Sequence, residues 1–226
     1  MDFATMVQEV KNIVQDETFD ASIAGYINDA FLQASGRINI PDLKRIGVAN
    51  TTSAMYTSLS GLTNGFGGRL SKMINRDLLR FDNIEDMTDW INSAGRSLTE
   101  NGAVEAVALE GKNLWYFPTP STKEMLQCIV FSNPAVMEDD DDEPYQFPEV
   151  CHRNIGIHGA AYLCYLIIED GVDGVKTNTT FHYSLFEKGI TQLLEWVGRH
   201  RVHRITSTLN DEVATTNFNS RWSHAI

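Results

Sequence analysis

Few residues here have types and spacing suited to chemistry, and spacing decides what they can do. Cys151, His152, His158 and Cys164 fall in one stretch, and thiolate and imidazole are common zinc ligands. Cys151 and His152 are adjacent, so on a helix they point to different faces. His152 and His158 are six apart, which is neither i,i+3 nor i,i+4. The stretch is expected to supply core or interface residues and no metal site. Asn64-Gly65-Phe66-Gly67-Gly68-Arg69 has the glycines of a phosphate-cradling loop. It lacks the Lys-Ser/Thr of a Walker loop and follows no strong apolar strand, so it reads as a turn or loop. The acidic run Glu138-Asp139-Asp140-Asp141-Asp142-Glu143 has neither EF-hand spacing nor the turn glycine. It reads as a solvated loop kept extended by its own repulsion.

The sequence contains no Gly-x-Ser-x-Gly, no His-Glu-x-x-His and no cysteine in a recognisable nucleophile setting. No pair of carboxylates singles itself out as a glycosidase pair. No catalytic, cofactor-binding or metal residue is therefore expected, and a structural role is.

Composition points the same way. The formal net charge is −12 over 226 residues, the opposite of the basic face that nucleic-acid binding requires. Cys128, Cys151 and Cys164 form an odd, sparse set without CxxC spacing. They read as reduced thiols and not a disulfide framework. The longest apolar run, Gly159 to Ile168, is far short of the ~20 residues that span a bilayer. Met1-Asp2-Phe3 has no basic and apolar leader pattern. The chain is expected to act where it is made, or to be assembled from there into something larger.

The elements that would hold these residues follow from periodicity. Met6, Val10, Ile13 and Val14 have helical spacing after Thr5, a candidate N-cap. Asp20 opens a second helix with Ile23, Ile27, Phe31, Ala34 and Ile38 on one face, ended by Pro41. Gly47 to about Leu70 is rich in Ser, Thr, Asn and Gly, with a strand around Tyr56, Ser58 and Ser60. Ile84, Met87 and Ile91 predict a short helix over Asn83 to Ala94. Ala103 to Leu109, Leu114 to Phe117 and Glu124 to Phe131 read as three strands of an antiparallel meander, punctuated by Gly111, Pro118, Pro120 and Pro134. Helical period resumes with Ile155, Gly159, Tyr162, Leu163, Leu166 and Ile167, stopped by Gly171. A last helix places Phe181, Leu185, Ile190, Leu193, Trp196 and Val197 inward and ends in the basic turn Arg199-His200-Arg201. From Val202 no period holds.

The expected fold is mainly α with a β insertion. Its core is a four-helix bundle made by the terminal helices, with an inserted antiparallel β meander or sandwich and an extended C-terminal arm. The expected parts are 1–46 (helical hairpin), 47–144 (β insertion), 145–201 (returning helices) and 202–226 (arm).

The order of elements resembles the head-to-tail connector (adaptor) proteins of tailed bacteriophages. The matching stretch runs from Asn101 to about Arg199. It contains Gly102-Ala103-Val104, then Leu109-Glu110-Gly111-Lys112-Asn113-Leu114-Trp115-Tyr116-Phe117-Pro118-Thr119-Pro120. It continues through Asn133-Pro134 and Gln146-Phe147-Pro148-Glu149 to a final helix with Tyr183 and Leu193. The glycine loop and the acidic loop depart from that pattern.

The resemblance implies a structural, non-enzymatic subunit of a virion, made in the host cytoplasm and placed at the head–tail interface. It implies a dodecameric ring of identical copies below the portal protein, joined on its other side to a tail or further connector protein. Double-stranded DNA would pass through the channel without specific binding, and no membrane or cofactor is involved. In such a ring Arg201, Arg204, Arg221, Trp222 and Ile226 would dock the C-terminal arm on the portal, and Glu169, Glu187 and Glu195 are candidates for an acidic channel wall. Two other readings are an adaptor that also hydrolyses cell wall, and a cytosolic binding module.

Overall fold

A computed structural model describes residues 1–59, 66–74, 77–170 and 176–208. The chain divides into two compact units. One is helical, built from Phe3–Ala30 and the chain from Phe147 onward; the other, Phe31–Gln146, is built on sheets.

In the helical unit α1 (Phe3–Val14) buries Phe3, Met6, Val10 and Val14, the apolar stripe of its period. It starts two residues before Thr5, which is therefore not its cap. It stops where Gln15 turns left-handed (φ 54), and Asp16 then accepts bonds from the Thr18 amide and hydroxyl. Helix α2 (Ile23–Arg37) follows. After Pro148 one rod is formed by α4 (Glu149–His152), a π-helical turn (Arg153–Ile157) and α5 (His158–Ile168). Helix α6 runs from Thr177 to Thr208, past the break expected at Val202.

Helices α5 and α6 lie antiparallel, as three contacts establish. Asn154 donates to Gln192 at 2.9 Å, Gly159 faces Phe186, and Glu169 reaches the start of α6. Two glycines allow the approach. A Cβ on Gly159 would lie 2.7 Å from Ala30 Cβ and 2.9 Å from Phe186, and one on Gly189 would lie 2.8 Å from Asn154 Cβ. The Tyr165 hydroxyl donates to the Ile13 carbonyl at 3.0 Å and ties α5 to α1.

The inward faces differ from those the apolar pattern predicts. Ile155 and Gly159 are buried as their spacing predicts, but Leu166 and Ile167 are exposed, and Ala160, Ala161 and Cys164 are buried in their place. The π turn inserts an extra residue per turn and rotates everything after it, and small residues allow closer packing than large ones. On α6, Leu193 and Val197 are buried as predicted, but Phe181 is 56% exposed and His182 and Phe186 are buried instead.

The described residues of the second unit form two sheets. One has the order β1 (Lys44–Asn50), β7 (Met125–Ser132), β3 (Phe66–Met73) and is antiparallel throughout. The other has the order β2 (Tyr56–Ser58), β6 (Asn113–Phe117), β5 (Ala106–Glu110), β4 (Leu79–Phe81), with β4 parallel to β5. Gly111, at φ 58, makes the β5–β6 turn. The sheets share a core that includes Leu70, Val107, Leu114, Tyr116, Leu126 and Val130. Helix α3 (Ile84–Ser93) is capped by the Asn83 side chain and sets Met87 and Ile91 on Ala106, Ala108 and Phe117.

Two expectations need correction. The fold is not a four-helix bundle core carrying an insertion: the described residues are 47% helical and 20% strand, a mixed α and β arrangement with two sheets. Among the described residues of the helical unit the extensive helix contacts join α6 with the rod and α1 with the rod, and α2 has none of that extent. Its first half belongs to the helical unit and its second, from Phe31, to the other. The period Ile23, Ile27, Phe31, Ala34 marks a helix, but period does not say which core the face joins. Nor do the three expected strands form one meander. The β5–β6 hairpin stands, but β7 leaves after Pro118-Thr119-Pro120 to pair with β1 and β3 in the other sheet.

Candidate functional site

The stretch Cys151 to Cys164 lies on the rod and its side chains separate as helix geometry requires. His152 is buried, and its Nε2 sits 3.0 Å from the Phe147 carbonyl. Cys151 and Cys164 are buried, and burial pushes each thiol up to about 11, as it does Cys128. His158 does not meet them. Its Nδ1 lies 3.2 Å from Nδ1 of His182 on α6, and Tyr165 stacks on His182 at 5.3 Å. Burial first, then the charges of His182 and Arg153, pushes His158 down to about 4. Burial also lowers His182, against the pull of Glu169. Among the described residues no group of three or more His, Cys, Asp or Glu could hold a metal ion, and no helix is long and apolar enough to cross a membrane.

His182 escapes sequence inspection because it stands between Phe181 and Tyr183, and no other histidine or cysteine lies at helical spacing from it. Its signal was the spacing His182, Phe186, Gly189, Leu193, Val197, which mixes a polar residue and a glycine into an apolar stripe.

Of the acidic residues on late elements, Glu169 is engaged as a cap. Its carboxylate accepts from the Asn178 amide, the Thr179 amide and the Thr179 hydroxyl, at 3.1, 3.1 and 2.6 Å. Those bonds, the hydroxyl's foremost, hold it below the usual carboxylate range. Glu187 is half-buried on α6. Glu195 is exposed and pairs with Arg199 at 3.7 Å. Arg201 and Arg204 fall on the final turns of the α6 backbone, while their side chains, and all of Arg221, Trp222 and Ile226, lie outside the described residues. So do Gly171 and the Asn64-Gly65 part of the glycine loop; Phe66, Gly67 and Gly68 open β3.

The acidic run is a closed turn and not the extended loop that repulsion predicts. The Asp142 amide bonds the Asp139 carbonyl at 3.0 Å. The Asp142 carboxylate accepts from the Glu138 and Asp139 amides at 2.7 and 3.0 Å, which lowers its pKa. One carboxylate thus closes the turn, and Asp139, Asp140, Asp141 and Glu143 are exposed, as are Val136 before them and Tyr145 after them in the chain.

The same unit exposes an apolar sheet face. Ile46 pairs with Ile129 and Asn50 with Met125 across β1 and β7. On their outer face Ile46 is 69%, Val48 49% and Met125 52% exposed. Lys44 and Lys72 border the patch: Lys44 lies 5.7 Å from the Phe131 ring and Lys72 pairs with Ile129. A shallow cleft of about 350 Å³ nearby is lined by Thr51, Thr52, Ser53, Pro120, Ser121, Thr122 and Lys123, without a carboxylate or imidazole.

The described residues thus offer surfaces for contact, and comparison gives the class: a phage adaptor protein. Residues 1–210 match the family described as SU10 adaptor protein, and the chain belongs to that family. No curated protein matches it. Membership makes the chain a component of phage virions that contacts other head and tail proteins.

Proposed function

We propose that the chain is a non-enzymatic ring subunit of the head-to-tail connector, docked below the portal and joining it to tail components around a channel for DNA. The family match over residues 1–210 carries this reading. Several copies closing on one another would build the ring, and the portal would template it. The charge of −12 opposes self-association of the isolated chain at low salt. An acidic channel wall would repel phosphates where a basic wall would hold them. Glu187 and Glu195 are the candidates on α6; Glu169 would serve there only beside its capping role.

The C-terminal arm would dock on the portal. Trp222 and Ile226 are apolar anchors, and Arg201, Arg204 and Arg221 supply donors suited to acidic surfaces. The test is co-sedimentation with the portal ring of the phage that encodes the chain. Deleting Arg221 to Ile226 should leave circular dichroism unchanged and sharply reduce portal binding, and Trp222→Ala should reproduce much of the loss. Unchanged affinity in the deletion would refute docking through the arm; failure of the full chain to bind any portal would refute the connector reading.

A further inference from the structure

We propose that neighbouring copies of this chain meet through two different surfaces of the sheet unit: the outer face of β1 and β7 on one copy receives the acidic turn of the next. The inference rests on the ring reading above and names the contact that would close the ring.

The first surface is a sheet face on which Ile46, Val48 and Met125 are 69%, 49% and 52% exposed. Strand β1 is an edge of its sheet, where an uncovered apolar face favours association with another chain. Its border is cationic, with Lys44 and Lys72 both exposed in a chain whose net charge is −12. An apolar centre with a charged rim is the usual anatomy of a protein interface.

The second surface answers it in both respects. The turn exposes Asp139, Asp140, Asp141 and Glu143, and Val136 and Tyr145, 65% and 68% exposed, precede and follow it in the chain. Asp142 closes the turn from within, so its shape is set before contact and little order is lost on docking. The carboxylates meet Lys44 and Lys72, and Val136 and Tyr145 meet the exposed Ile46, Val48 and Met125. That complementarity selects a second copy over an arbitrary partner. Because the two patches differ, the contact is heterologous and repeats head to tail, which closes into a ring when the rotation permits. It also gives the acidic run a role that the connector reading alone leaves open.

Cross-linking between two chains tests this. One chain carries Val48→Cys, and a second chain, tagged to a different mass, carries Val136→Cys. They are mixed on the portal ring at low salt and mildly oxidised. Cys128, Cys151 and Cys164 are buried and give little background. The expected result is a mixed disulfide dimer well above the level formed by Val48→Cys alone. Adding Lys44→Glu and Lys72→Glu to the first chain should lower its yield roughly tenfold or more. Adding Asp139→Lys and Asp141→Lys to the second as well should restore it. Copies that assemble on the portal without the mixed dimer, or with a yield indifferent to charge reversal, overturn this interface and leave the connector reading intact. Copies that never assemble on the portal overturn both.

Discussion

Nδ1 of His158 lies 3.2 Å from Nδ1 of His182, so α5 and α6 are joined by two imidazoles of which only one can carry the shared proton. The bond needs one unprotonated Nδ1 to accept, so it is lost when both rings are charged. Unfolded, each would take up a proton near 6.5, but folded, His158 resists until about 4. Between those values the unfolded chain binds more protons, so acid favours unfolding. The helical unit should hold its stability above pH 6.5 and lose it progressively as pH falls toward 4. Urea midpoints across that range check this, and His158→Gln should flatten the dependence.

The close approach at Gly159 and Gly189 predicts opposite signs for one substitution at different glycines. Gly159→Ala and Gly189→Ala add a carbon under 3.0 Å from neighbouring atoms and should destabilise by ~1–3 kcal/mol. Gly198→Ala on α6 meets nothing within 4 Å and should stabilise by roughly 0.5–1 kcal/mol through helix propensity. Thermal melts of the three variants separate packing from propensity.

Glu169 spans from the end of α5 to the first turn of α6 through three bonds. Glu169→Ala removes the acceptor from the Asn178 and Thr179 amides, and amide exchange at the start of α6 should accelerate. Glu169→Gln should be intermediate, since an amide oxygen still accepts but carries no charge to meet the helix dipole.

Cys128, Cys151 and Cys164 are buried, and burial holds their thiols protonated well above neutral pH. The native chain should react with a thiol reagent only as fast as it opens, and all three should react promptly in denaturant. Rapid labelling of the folded chain would contradict the packing around α5 and β7.

The sequence by itself determined the local elements. The stripe Met6, Val10, Val14 makes α1, Asn83 caps α3, and Gly111 turns β5 into β6, because each depends on neighbours within a few residues. The order of those elements also carried the resemblance to phage connectors, which the family match bears out. Tertiary structure decided which faces meet. β7 joins β1 across a long stretch of chain, α2 divides between two units, and the π turn rotates the rod so that Cys164 points inward and Ile167 outward. The strand at β1 was hidden among polar residues, although Ile46 and Val48 alternate with Gly47 and Ala49 as a strand requires. The pairing of His158 with His182 was equally invisible, for no periodicity relates residues on two helices. Local spacing encodes a helix or a strand; the identity of its partner depends on the packing of the whole chain.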